Sequence, residues 1–169
     1  MTVPAPAPFR SSNVFLAPAV IVVFAVVAVA VPVAVILSLA AAAAPAGEWA
    51  GGLLVPAIVG AVLVVGCLSH HRVEVGDQAI RLIWFPGYRK TIPAHDIVAV
   101  GTERVSPWRY GLGLRLIGNA TLAVMNRGGD AAVIGTIENR RYLVVIGDPL
   151  ELAETLRRVE RMIGVAAAS

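Results

Sequence analysis

The sequence predicts an α+β membrane protein. A two-helix transmembrane hairpin is followed by a small curved or barrel-like sheet of about seven strands, closed by a C-terminal amphipathic helix. Three observations carry this reading. Residues 14–43 and 50–68 contain no charged side chain. From Arg72 onward the apolar residues alternate as in strands, in short runs broken by turn residues. Beyond Asp148 apolar residues recur every three or four positions, the spacing of one helix face.

At about 1.5 Å per residue the first apolar run reaches roughly 45 Å, more than a hydrocarbon layer of about 30 Å requires. Pro18 and Pro32 fall inside it and predict a late start or kinks, because proline removes a backbone donor and clashes with the preceding turn. The second run is close to the roughly 20 residues a spanning helix needs, and Pro56 would bend it. Its small residues Gly51, Gly52, Ala57, Gly60 and Ala61 let another backbone come close. Gly60 with Ala61 is therefore a candidate packing face, although Gly and Pro are common in membrane helices for other reasons.

The linking loop carries Glu48 and no cation, whereas Arg10 precedes the first helix and Arg72 follows the second. The cytoplasmic preference of flanking cations puts both termini inside, with Trp49 at the outer interface and His70 and His71 at the inner one. Adjacent residues point apart, so the two histidines suit an interface better than a shared metal ion. Residues 1–13, with three prolines among alanines, read as a disordered cytoplasmic tail. The rival reading is a secretory signal, with Arg10 as its charged region and cleavage at Ala42-Ala43-Ala44 or Ala44-Pro45-Ala46. Its apolar core would be roughly twice the usual 7–15 residues.

The chain of 169 residues is 57% hydrophobic, and its charges are displaced to one side. Thirteen of its fourteen Lys and Arg, and ten of its eleven acids, lie at or beyond Arg72. Cations interleaved with acids do not make a nucleic-acid stripe; they suit an anionic membrane surface. Cys67 has no second cysteine to pair with and reads as a small apolar side chain.

In the domain 70–169, residues 72–75 and 79–85 form a hairpin about Gly76-Asp77-Gln78, and 89–92 and 96–102 continue it. Glu103 to Gly111 is a polar and aromatic loop. Runs 122–125, 131–137 and 141–146 complete the sheet, with Arg127-Gly128-Gly129-Asp130 as a hairpin turn that uses glycine for positive φ. The last helix, about 149–164, starts with Asp148 as cap, Pro149 at the first position and Glu151 at the third, a capping box. Leu152, Leu156, Val159 and Ile163 form its apolar face, and Arg157, Arg158 and Arg161 load its final turns, where cations suit the helix dipole. Residues 166–169 are expected to fray.

Four stretches carry a family resemblance: Val73-Glu-Val-Gly-Asp-Gln-Ala-Ile-Arg, Thr91-Ile-Pro-Ala-His-Asp-Ile-Val-Ala-Val, Gly111-Leu-Gly-Leu-Arg, and Tyr142-Leu-Val-Val-Ile-Gly-Asp-Pro-Leu-Glu-Leu-Ala-Glu-Thr-Leu. From Arg72 to about Arg161 the chain resembles the bacterial pleckstrin-homology-like domain of small membrane proteins. Two membrane helices ahead of such a domain are a common layout there. The resemblance implies a bacterial plasma membrane location and a fold that binds lipids, peptides or proteins, among which the fold alone does not choose. Phosphoinositide-binding members of the wider superfamily use cations around the first hairpin turn. Here that turn is Gly76-Asp77-Gln78, so no lipid-binding residue carries over.

Catalytic constellations are lacking in the sequence. Cys67 has no polar base in the membrane, and Gly111-Leu112-Gly113 lacks the third glycine of a dinucleotide fingerprint. His95 beside Asp96 reads as support for a turn. The expectation is a protein without enzymatic activity or cofactor, whose partners are the lipid bilayer and a membrane protein or a second copy of the chain. The proposed surface site is the loop of Arg104, Trp108, Arg109, Tyr110 and Arg115, with Arg89 and Lys90 nearby, where aromatic tips and cations meet an anionic headgroup layer. The competing arrangement folds Trp108 and Tyr110 into the core and leaves the arginines solvated. The competing role is that of an accessory subunit packed through the membrane helices.

Overall fold

The computed structural model describes residues 8–118 and 120–168 and divides into two compact units, Leu16–Ser69 and the segments on either side of it. The first unit is helical. Helix α1, Pro18–Ala41, begins at the first proline, which fits the opening position of a helix but not its interior. Helix α2, Ala46–Leu68, starts earlier than the apolar run and takes Glu48 into its first turn, where a negative charge suits the helix dipole. Both are long and apolar enough to cross a membrane. They pack through glycines: a Cβ at Gly52 would sit 2.9 Å from Leu39 Cδ1, and one at Gly66 would sit 3.1 Å from Phe24 Cε2. Ser38 donates its hydroxyl to the Ala34 carbonyl at 2.8 Å, which satisfies the one hydroxyl in the middle of this apolar unit.

The second unit is built on two sheets. Strands β1 (Phe9–Arg10), β2 (Val14–Phe15), β3 (His70–Val75), β4 (Ala79–Trp84) and β5 (Tyr88–Pro93) form the first. β1 and β2 both pair with the outer edge of β3, and β4 and β5 lie on its other side. A 3-10 turn, Ala94–Asp96, leads into β6 (Ile97–Val105), the single-turn helix α3 (Pro107–Tyr110), β7 (Gly113–Ile117), β8 (Thr121–Met125), β9 (Gly129–Thr136) and β10 (Arg141–Val145). The second sheet has the order β6-β9-β10-β8-β7, antiparallel except for the parallel pair of β10 with β8. β5 and β7 each have one strand partner, so no closed barrel forms among the described residues.

Alternation explains the core. Val73, Val75, Ile80, Leu82 and Ile92 of the first sheet face Val124, Ala132, Ile134, Tyr142 and Val144 of the second. Helix α4, Pro149–Ala168, adds Leu152, Val159 and Met162 to the same cluster. Burying each large aliphatic side chain contributes about 1.5–3 kcal/mol. The alternate residues of the second sheet, Ala123, Met125, Ala131, Leu143 and Val145, bury a smaller cluster on its other face beneath Tyr110 and Ile117.

The structure corrects several expectations. Residues 1–7 of the expected tail lie outside the described residues, but Phe9–Arg10 is strand, not free chain, and Val14–Phe15, expected as the start of the first membrane helix, is strand as well. Ser11 donates its amide to the Val73 carbonyl, and its hydroxyl accepts from the Val73 amide, both at 2.9 Å. Ser12 donates its amide and hydroxyl to Glu151 at 2.9 and 2.8 Å. These bonds come from chain far away in sequence, which a local composition does not register. They also take Glu151 away from the expected capping box. Asp148 still caps, accepting the Leu150 amide at 2.7 Å. Helix α4 runs on to Ala168, so its arginines are not terminal; Arg157 and Arg158 pair with Glu154 at 3.0 and 2.6 Å instead. Arg127 to Asp130 does not turn a hairpin either, because β8 and β9 lie on opposite sides of β10. Glu103 to Val105 belongs to β6, and β7 was not expected as a strand.

Candidate functional site

Trp108 is 99% exposed at the tip of α3. Pro107 opens this short helix and Gly111, at φ 81°, ends it by donating its amide to the Pro107 carbonyl at 2.7 Å. The turn thus aims residue 108 outward while Tyr110 turns back. The Tyr110 hydroxyl donates to Glu103 at 3.2 Å, and the other Glu103 oxygen holds Arg141 at 2.6 Å. The Arg109 guanidinium lies 5.3 Å from the centre of the Tyr110 ring, a cation over an aromatic face. Arg115 folds back along Gly111 and donates to the Leu112 carbonyl at 3.1 Å.

Of the five residues expected at this surface, α3 and its exit therefore gather Trp108, Arg109, Tyr110 and Arg115. Arg104 stands apart from them. It is exposed, pairs in register with Asp130, and by strand alternation faces away from Glu103 and Tyr110. Neither expected arrangement of the aromatics holds for both: Trp108 is out and Tyr110 is half-buried. Arg89 and Lys90 lie on β5, with Lys90 in register with Leu82 and so on the inner face of the first sheet.

The loop is braced from below. A Cβ at Gly128 would come within 2.7 Å of Pro107 Cδ, so the loop rests directly on backbone there. Two residues earlier, buried Asn126 accepts from the Trp84 indole and donates to the Val14 carbonyl, both at 3.2 Å. Val14 pairs with His71, and Phe15 pairs with His70. The Trp108 loop is thereby tied to the strand pair β2/β3, where the chain leaves for α1 and returns from α2. The His70 ring lies 5.3 Å from each of Phe15 and Phe85, the latter stacked.

His71 is fully buried, and its Nε2 lies 2.7 Å from the Val145 carbonyl, so Nε2 carries the proton. Nδ1 has no partner among the described residues. Burial holds this imidazole down to about 4; the Val145 bond opposes the shift, and Arg127 and His70 add to it.

In the helical unit Gly60 has no atom near its missing Cβ and Ala61 is exposed, whereas Gly52 and Gly66 contact α1. Gly66 escaped the sequence reading because spacing alone does not say which glycine faces the partner helix. His95 and Asp96 lie 3.4 Å apart on an exposed turn. Among the described residues no three His, Cys, Asp or Glu side chains gather as metal ligands. No family model matches the chain, and no curated protein matches it.

Proposed function

We propose that this protein is a non-catalytic binding module of a bacterial plasma membrane. Its two helices span the bilayer with both termini cytoplasmic, and its β domain is pleckstrin-homology-like. Two facing sheets, one shared core and a C-terminal helix across it support the fold assignment. The observation that carries the function is Trp108, an indole 99% exposed beside Arg109 on a loop braced to the strand that leads into α1. An indole without protein contacts is costly in water and favourable at a headgroup layer, and arginines beside it add attraction to anionic lipid of about 1 kcal/mol each.

The test is hydroxyl-radical footprinting of the full chain in nanodiscs. Trp108 is expected to be oxidised in zwitterionic bilayers and protected when anionic lipid is added, with the protection lost in Arg109→Ala and Arg115→Ala together. Equal oxidation in both bilayers would refute a membrane-surface role.

A second reading has its own support. Gly60 faces open space while Gly52 and Gly66 meet α1, which leaves room for a further helix from a membrane protein or from a second copy of the chain. Gly60→Leu should leave the hairpin intact and remove any partner that co-purifies in gentle detergent. Co-purification unchanged by that substitution would end this second reading.

A further inference from the structure

Between the two sheets, at the corner left open by β5 and β7, lies a cleft of about 400 Å³ lined by Tyr88, Lys90, Leu116, Leu122, Arg140 and Tyr142. That is within the size range of small-molecule sites. We propose that this corner binds a phosphate-type oxyanion carried on a small, partly apolar group. Tyr142 is 4% exposed and pairs in register with Leu122 and Ile134, so its ring sits in the core. Yet its hydroxyl takes no hydrogen bond from any described residue. Among the described residues only His71 Nδ1 is a buried side-chain polar atom without a partner, so the Tyr142 hydroxyl opens to the cleft, where water or a ligand can meet it.

Three further donors line the same space. Lys90 stands on the inner face of an edge strand and pairs with no carboxylate among the described residues. Arg140 stands at the mouth, more than half exposed, and its pair with Glu138 at 3.0 Å leaves other N–H groups free to turn inward. The Tyr88 phenol is pushed up by burial and by Tyr142, with Arg140 opposing, so it stays protonated and able to donate. Two phenols and two cations with no unpaired acid suit an oxyanion with several acceptor oxygens. Leu116 and Leu122 form an apolar wall for what carries it. An inward lysine on an edge strand also blocks edge-to-edge pairing, but that explains neither Tyr142 nor Tyr88.

The site does not depend on the Trp108 loop, and the test separates the two. Glycerol phosphate and inorganic phosphate are titrated calorimetrically into the full chain in zwitterionic nanodiscs, and lipid retained from phosphatidylglycerol nanodiscs is weighed by native mass spectrometry. Saturable binding of the free phosphoester identifies a soluble ligand, and retention of the phospholipid alone identifies a headgroup; either supports the site. Tyr142→Phe, which keeps the ring, should weaken binding about five-fold and Lys90→Gln about ten-fold, while Arg161→Ala, on α4 and outside the cleft lining, changes nothing. Should Tyr142→Phe melt early by circular dichroism, Lys90→Gln decides alone. No binding of either kind, or binding that both variants leave unchanged, overturns the proposal.

Discussion

Trp84 and Tyr88 face each other across β4 and β5 on the inner side of the same sheet, and their polar atoms have different fates. The Trp84 indole donates to Asn126, whose amide donates in turn to Val14, so a side chain just past the end of β8 locks two strands of the first sheet. One strand away, Tyr88 and its neighbour Tyr142 close no such circuit among the described residues. Both clusters are polar groups beside an apolar core. The first is closed within the protein, and the second opens to the cleft, where a ligand can bond to it.

Substitutions on each side sharpen that contrast. The largest effect is expected from Asn126→Leu, which strands the Val14 carbonyl and the Trp84 N–H and should lower stability by about 3 kcal/mol in denaturant titration. Full stability in that variant would break the contrast at once. Next comes acid. The His71 imidazole is held at about 4 in the fold against 6.5 when free, so the unfolded chain binds the proton first. Stability is complete above about pH 6.5 and falls by roughly 3 kcal/mol as pH drops through 4. His71→Leu should flatten this slope between those limits, as read from unfolding midpoints. Smaller still, Tyr142→Phe should shift stability by less than about 1 kcal/mol, since no protein bond is lost. Trp108→Ala should shift it by less than about 0.5 kcal/mol, since nothing packs on that ring.

What the sequence disclosed depends on the range of the interaction concerned. Charge-free runs disclosed α1 and α2, and alternation disclosed β3 to β5, because burial writes itself into neighbouring residues. The apolar face of α4 was legible for the same reason, with Leu152 and Val159 buried and Leu156 and Ile163 packed beside them. Met162 joins them from one position off the expected spacing. β1 and β2 were not legible, since two residues carry no pattern and only β3 makes them strands. β7 hid between Gly111 and Gly118, too short to show alternation. The parallel pairing of β8 with β10 is a matter of which strands meet, on which local pattern is silent.

The geometry of the loop proposed as a surface site was half legible. Aromatic and basic residues alternate at 108–110, but which ring points outward depends on the four-residue helix and on Glu103 waiting for Tyr110. The corner cleft was not legible at all. Tyr88, Leu122 and Tyr142 come from separate strands, and each is an ordinary strand residue in its own stretch.

The pairing of Phe15 with His70 has a consequence for how the chain is built. Two residues directly opposite each other on antiparallel strands are what a two-residue turn connects. Topologically, then, everything from Leu16 to Ser69 is the loop of a β-hairpin, grown long enough to enter a bilayer. Exchanging that segment for Asn-Gly should leave every strand pair of the β domain in register while closing a far shorter loop. The helical unit is in this sense an insert, and its excision is expected to leave a folded β domain, as read by circular dichroism, in which the Trp108 loop and the corner cleft can be titrated by themselves.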